Sequence, residues 1–258
     1  MPSVLSIRES ARTEAPLATV KLSSSISKRV QQLDWQALAS ALSENGYAQT
    51  GPLLTREECQ ELISLYPDDA RFRSHIDMAR FRFGLGDYKY FGDPLPATVQ
   101  ELRKSFYPPL AQIANSWMEN LGSRERLPDQ LDEFLKICHR HGQRRPTPLL
   151  LRYAEGGYNC LHQDIYGEVA FPLQVACFLS QPGRDYTGGE FLLMEQRPRA
   201  QSKGEVITPQ QGEAVIFTTR YRPVRGSRGY YRVNIRHGVS TVKTGERYTL
   251  GIIFHDAK

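Results

Sequence analysis

Between Leu33 and Arg140 most apolar residues recur at helical spacing. From Pro148 onward they fall in short extended runs separated by glycine turns. Asp34 is placed to cap a helix running through Leu42, with Leu33 and Leu38 as a hydrophobic staple and Gly46 just past the end. Tyr47 to Leu53 reads as a short strand. Thr55-Arg56-Glu57-Glu58 is a capping box opening a helix that carries Cys59, Leu62, Ile63 and Leu65. Val99, Leu102, Phe106, Leu110, Ile113, Trp117 and Leu121 mark the face of a further helix, which Pro108-Pro109 should kink or split. Another helix is expected over Leu127 to Arg140, then a basic connector from Gly142 to Pro148.

The extended part begins with Pro148 to Tyr153 and a turn, Glu155-Gly156-Gly157-Tyr158. Near the end, Leu250 and Ile252 alternate with Thr249, Gly251 and Ile253, as in the wall of a barrel. Arg80 to Phe91 reads as a hairpin around Gly84 to Asp87, with an aromatic and a partly basic face. It is either a substrate lid or an amphipathic cover for a sheet edge. The patterns divide the chain into a Ser-rich, loosely ordered tail (1–30), a helical support region (31–147) and a β-rich core (148–258).

Composition narrows the class. With 258 residues and 40% hydrophobics the chain can build one sizeable core. The four cysteines, Cys59, Cys138, Cys160 and Cys177, have no paired spacing. That favours reduced thiols in the cytoplasm over a disulfide framework or a zinc site. Cys160 is expected to be a small buried hydrophobe. No run of 18 apolar residues exists, so no membrane span is expected, and residues 1–30 lack the apolar segment of a secretory signal.

The candidate chemistry is His162-Gln163-Asp164, then His237, then Arg247 ten residues further on. Two imidazoles and a carboxylate suit Fe(II) and leave coordination positions open. A His-x-Asp alone carries little weight, because His75-Ile76-Asp77 is a second copy. His75 sits among Arg71, Phe72, Arg73 and Arg80 without the strand-and-turn frame, and it reads as a surface or hydrogen-bonded histidine.

From His237 to Phe254 the segment runs as strand, Gly-containing turn and second strand bearing Arg247. Gly188-Gly189-Glu190-Phe191-Leu192 and Gly212 to Phe217 precede it in order. Residues 148 to 256 in this respect resemble the Fe(II)/2-oxoglutarate dioxygenases of the prolyl-hydroxylase-like branch. The resemblance implies an α+β fold, a double-stranded β-helix (jelly-roll) core with an N-terminal helical layer. It implies an oxidoreductase using Fe(II), 2-oxoglutarate and O2, with ascorbate as assay reductant. His162, Asp164 and His237 fall on the metal ligands, which makes them the catalytic centre. Arg247 falls on the residue that pairs with the distal carboxylate of 2-oxoglutarate, where a guanidinium permits a two-pronged bond. Tyr153 falls where a tyrosine hydroxyl also reaches the cosubstrate; a buried strand tyrosine with a satisfied hydroxyl is the other reading.

Charge bears on the substrate. The chain carries +5, yet Ala214 to Gly245 holds no Asp or Glu and seven cations, leaving −2 elsewhere. Arg220, Arg222, Arg225, Arg228 and Arg232 alternate with Tyr221 and Tyr230, and Arg82 and Tyr88 add a second basic-aromatic segment. Cations for phosphates and aromatics for bases are the ingredients of single-strand binding; a solvated Arg-rich loop is the plainer account. The frame Leu161 to Asp164, with Arg232 to Val239, also resembles a prokaryotic group of these oxygenases proposed to act on alkylated nucleic acid. That resemblance implies oxidative demethylation of N-alkylated bases in single-stranded or damaged DNA or RNA, a repair activity. The short interval from His237 to Arg247 departs from AlkB-type enzymes and is closer to protein hydroxylases. Hydroxylation of an acidic protein partner, prolyl or other, is therefore the alternative, and a non-catalytic iron or 2-oxoglutarate sensor is a remote one.

Overall fold

The computed structural model describes residues 24–164 and 167–258. The helices are α1 (Ile26–Gln31), α2 (Trp35–Asn45), α3 (Arg56–Ser64), α4 (Met78–Phe81), α5 (Ala97–Asn120) and α6 (Leu131–Arg140). The first strands are β1 (Tyr47–Gln49), β2 (Phe72–Asp77), β3 (Gly84–Leu85), β4 (Asp87–Phe91), β5 (Leu149–Tyr153), β6 (Tyr158–His162) and β7 (Leu173–Phe178). They are followed by β8 (Tyr186–Gly188), β9 (Phe191–Gln196), β10 (Lys203–Ile207) and β11 (Ala214–Thr218). The last are β12 (Tyr221–Gly226), β13 (Gly229–Val239), β14 (Val242–Gly245) and β15 (Arg247–Ile252).

Two antiparallel sheets pack together. One runs β1-β11-β7-β15-β5-β4-β2; the other runs β10-β9-β13-β6-β3, with β12 added on β13. Strand alternation explains how the first sheet is buried on both faces. Leu150, Val175, Cys177, Ile216, Leu250 and Ile252 join the core beneath the helices. The opposite residues Ala176, Phe178, Val215 and Phe217 meet Phe191, Leu193 and Ile235 of the second sheet. The same alternation on β15 turns Arg247 and Thr249 away from the helices and toward the space between the sheets.

Local caps form as expected. Asp34 accepts from the Ala37 N–H at 3.0 Å, and Gly46 ends α2 in the left-handed region at φ 80°. Thr55 and Glu58 close a reciprocal capping box on α3. The expected strand at Tyr47 to Leu53 is only three residues long.

Other expectations are corrected. Residues 1–23 of the expected tail lie outside the described residues, and its last part is already helical in α1. Helix α5 is not split, since Pro108 and Pro109 lie within one continuous helix. Each proline costs about 3 kcal/mol in a helix interior. The buried face through Phe106, Tyr107, Leu110, Ala111 and Ala114 outweighs this. Lys104 and Ser105, four residues before the prolines, line a surface groove together with them. Helix α6 starts at Leu131 rather than Leu127, because Leu127 precedes a proline and the Asn115 side chain holds both its N–H and its C=O, at 2.7 and 3.0 Å.

The expected hairpin over 80–91 is a corner between sheets. Arg80 and Phe81 are helical, β3 pairs with β6, and β4 pairs with β2 and β5. Gly86 makes the corner at φ 137°, where a Cβ would press the Arg152 carbonyl at 2.9 Å.

Candidate active site

A cavity of about 460 Å³ opens between the two sheets, with walls from β4, β5, β6, β13 and β15. At one end, β6 and β13 pair with His162 directly opposite His237. Gly238 fits the irregular register just beyond, where any Cβ would come within 2.7 Å of the Asn159 carbonyl. Asp164 follows β6 and is fixed by its own N–H to the Thr219 carbonyl at 3.2 Å. His162 Nε2 lies 3.4 Å from Asp164 Oδ1 and His237 Nε2 3.2 Å from Oδ2. One donor atom from each of the three residues falls within 4.8 Å of the others, a geometry able to hold a metal ion.

The surroundings orient these groups. His162 Nδ1 lies 2.8 Å from the Cys160 carbonyl, which can only accept. In the neutral ring the proton therefore sits on Nδ1, which leaves the Nε2 lone pair for the cluster. Gln174 Nε2 donates to Asp164 Oδ2 at 2.7 Å. Phe217 packs edge-on against the His237 ring at 4.7 Å, and His237 Nδ1 is buried without a hydrogen-bond partner among the described residues. Burial lowers the pKa of His162, but the hydrogen bond and charge of Asp164 outweigh it and leave it raised. Burial raises that of Asp164, yet the two histidines together hold it well below the ordinary carboxylate value. Burial dominates at His237 and lowers it. A carboxylate that stays ionised beside a neutral imidazole is a donor set suited to Fe(II).

Arg247 lies deeper in the same cavity and is 1% exposed. Its Nη1 donates to Thr249 Oγ1 at 2.8 Å, while Nε and Nη2 are buried and have no hydrogen-bond partner among the described residues. The guanidinium sits 5.4 Å from the Tyr153 ring and 5.1 Å from that of Phe178. Two unmet donors on a buried cation are costly unless an anion completes them. Tyr153 is fully buried, its hydroxyl accepts from Asn159 Nδ2 at 3.3 Å, and burial pushes its pKa up to about 12.

The basic-aromatic residues divide. Arg82 and Tyr88 line the cavity; Arg220, Tyr221, Arg222, Arg225, Arg228, Tyr230 and Arg232 do not. Tyr221 to Val239 is an ordered hairpin, β12–β13, rather than a loose loop. Arg222 is buried: it pairs with Glu195 at 2.6 Å and donates to the Ser43 carbonyl at 2.7 Å, so it ties the hairpin to β9 and α2. It is therefore removed from the substrate candidates. Arg225, Arg228 and Arg232 are exposed. His75 is half exposed and pairs with Asp87 at 2.7 Å, as its context suggested. Cys160 is exposed, against expectation, on β6, between β13 and the short β3.

Gln174 and Thr249 escaped the sequence reading. The signal was present, since Gln174 is the one polar residue in Leu173–Phe178 and Thr249 shares the face of Arg247.

The family model whose description reads "Oxygenase, catalysing oxidative methylation of damaged DNA" matches residues 86–257. The chain belongs to this Oxygenase-NA family. The oxygenase is 53% identical over 167 residues to the uncharacterized protein Rv2227 of Mycobacterium tuberculosis (strain ATCC 25618 / H37Rv), a match covering 65% of this chain and 72% of that one. Its fold is similar to a Pseudomonas putida prolyl-4-hydroxylase, with TM-score 0.50 and 14% identity over 86% of this chain and 98% of the other. It is equally similar to a 2OG-Fe(II) oxygenase family oxidoreductase from Burkholderia pseudomallei, with TM-score 0.50 and 16% identity over 86% and 91%. The fold is thus the double-stranded β-helix of these enzymes, and membership of the family makes the protein an oxygenase, an oxidoreductase. Among the described residues no helix is long and apolar enough to cross a membrane.

Proposed function

We propose that this oxygenase removes N-linked alkyl groups from bases of single-stranded or damaged DNA or RNA, with His162, Asp164 and His237 holding Fe(II) and Arg247 holding 2-oxoglutarate. The observation that carries the reading is the buried Arg247, whose two donors without a partner among the described residues share a cavity with the His-Asp-His cluster. A dicarboxylate answers both, one end at the guanidinium and the other toward the metal.

Bound there, Fe(II) supplies O2 activation coupled to decarboxylation of 2-oxoglutarate to succinate and CO2. The chain supplies the rest. Arg247 and Thr249 grip the distal carboxylate. Gln174 holds one Asp164 oxygen, so the carboxylate cannot rotate freely. Phe191 and Phe217 pack beside His237 and exclude water from that side. Tyr88 and Tyr90 meet edge-to-face at 5.5 Å on the opposite wall and offer flat surfaces to a base. Hydroxylation of an N-methyl carbon yields a hemiaminal that expels formaldehyde and restores the base. A base reaches the cavity only when unstacked, which favours single strands or flipped nucleotides. The family description supports a nucleic-acid substrate, and four unpaired cysteines fit the cytoplasm.

The test is mass spectrometry of an N-methylated single-stranded oligonucleotide after incubation with Fe(II), 2-oxoglutarate and O2. Loss of one CH2 unit is the expected result. A second reading, hydroxylation of a protein side chain, is favoured by the ten-residue interval from His237 to Arg247. An unchanged oligonucleotide together with an oxidised acidic protein would establish that reading instead.

A further inference from the structure

Beside the cavity mouth, α4 and β3 present a feature that the oxidation chemistry does not use. Phe81 and Phe83 are 55% and 47% exposed, and they stack on one another with centroids 5.6 Å apart and planes 19° from parallel. Burying such a ring is worth about 2–3 kcal/mol, so two left in water call for a reason.

The backbone holds them there. Arg82, between the two rings, is left-handed at φ 59°. Asp77 caps the start of α4 through the Ala79 N–H at 3.0 Å, and the Phe83 N–H returns to the Met78 carbonyl at 3.0 Å. The Phe83 carbonyl accepts from the Cys160 N–H at 2.8 Å. Gly84, at φ 151°, lies so close to β6 that any Cβ would collide with the Tyr158 carbonyl. The pair is thus fixed to the strand that ends in His162, and it is not a mobile lid. Phe83 and Arg82 line the cavity while Phe81 does not, so the stack runs from the cavity wall outward. Arg80 and Arg82 flank it, both exposed, and the Asp77 carboxylate is turned to its cap.

We infer that Phe81–Phe83 is a rigid stacking platform for the unpaired base next to the one being oxidised, with Arg80 and Arg82 placed for the phosphates of the same strand. The inference rests on the nucleic-acid reading of the site. Two parallel aromatic faces match the face of any base, whereas the irregular side chains of a peptide do not need them parallel. Bases within a duplex are already stacked on their neighbours, so the ligand is single-stranded nucleic acid. Flanking cations complement its charge.

The experiment is fluorescence anisotropy on the full chain with three labelled probes. They are a single strand bearing one N-methylated base, the same strand with abasic residues on either side of it, and its duplex. The wild type should bind the intact strand best and lose about ten-fold for the abasic strand. A Phe81→Leu/Phe83→Leu variant with an unchanged unfolding midpoint should bind the intact strand about ten-fold more weakly and no longer distinguish the two strands. Phe83→Trp should retain the distinction. Should the double substitution lower the midpoint, Phe81→Leu alone, on the more exposed ring, carries the same expectation. A variant that still discriminates the abasic strand overturns the platform while leaving the nucleic-acid reading intact. A wild type that binds neither strand removes both. Capture of an acidic apolar peptide by the wild type, lost in the variant, reassigns the patch to protein and overturns the inference.

Discussion

His162 and His237 are direct cross-strand partners on β6 and β13, with ring centroids 4.2 Å apart and Asp164 between their Nε2 atoms. Pairing in a sheet brings together two residues separated by most of the core sequence. No side-chain rearrangement is needed to gather the three donors.

Replacing any of His162, Asp164 or His237 by Ala should abolish 2-oxoglutarate turnover, because each supplies one of three donors. Succinate release, with circular dichroism to establish folding, reads this out. Full turnover in a folded variant moves the metal elsewhere.

Gln174→Ala should weaken Fe(II) binding by about 10–100-fold, the usual effect of removing a group that orients a ligand carboxylate. Equilibrium dialysis against Fe(II) measures it, and an unchanged affinity would make the 2.7 Å hydrogen bond merely structural.

Arg247→Ala should raise the KM for 2-oxoglutarate at least ~10-fold, since it removes a buried charge-assisted pair. Arg247→Lys should recover part of it, because an ammonium keeps the charge but not the fork. A drop in kcat with KM unmoved would place the cosubstrate carboxylate on another residue.

Arg222 and its exposed neighbours should separate cleanly. Arg222→Ala breaks a buried pair with Glu195 and should cost about 3–5 kcal/mol of stability, seen as a lower unfolding midpoint. Replacing Arg225, Arg228 and Arg232 by Ala should leave the midpoint alone. It should reduce the salt slope of oligonucleotide binding by about 0.7 for each phosphate that is no longer neutralised. An unaltered slope would mark the hairpin as a solvated face.

His255 supplies a pH test away from the cavity. It is buried, its Nδ1 accepts the Phe171 N–H at 3.2 Å, and burial followed by the nearby Arg103 pushes its pKa down to about 4. The unfolded chain then binds the proton more tightly than the folded one. The stabilising contribution is complete above pH ~6.5 and is lost as pH falls toward 4, at most about 3 kcal/mol. His255→Asn keeps an acceptor and removes the titration, so its midpoint should fall less between pH 7 and 4.5. Parallel midpoint curves would contradict the depressed pKa.

Legibility followed the range of the interactions. The caps at Asp34 and Thr55–Glu58 involve residues three apart, and both are present in the fold. The order of strands around His162 and His237 could be read because each follows its own turn. The corner at Gly86 could not, since pairing of β3 with β6 and of β4 with β5 joins residues some seventy positions apart. The late start of α6 depends on Asn115, on a different helix. Arg222 looked like its neighbours in a run of arginines, and only the approach of Glu195 and Ser43 buries it. Phe81 and Phe83 carried no signal beyond two aromatics in a basic stretch; their exposure is set by the backbone around Arg82 and Gly84.

The deciding measurement is the ratio of formaldehyde to succinate released from an N-methylated single strand, with the unmethylated strand as control. A nucleic-acid demethylase should give a ratio near one and succinate production that depends on the methyl group. Succinate at the same rate with either strand, and no formaldehyde, would leave the oxygenase without a nucleic-acid substrate.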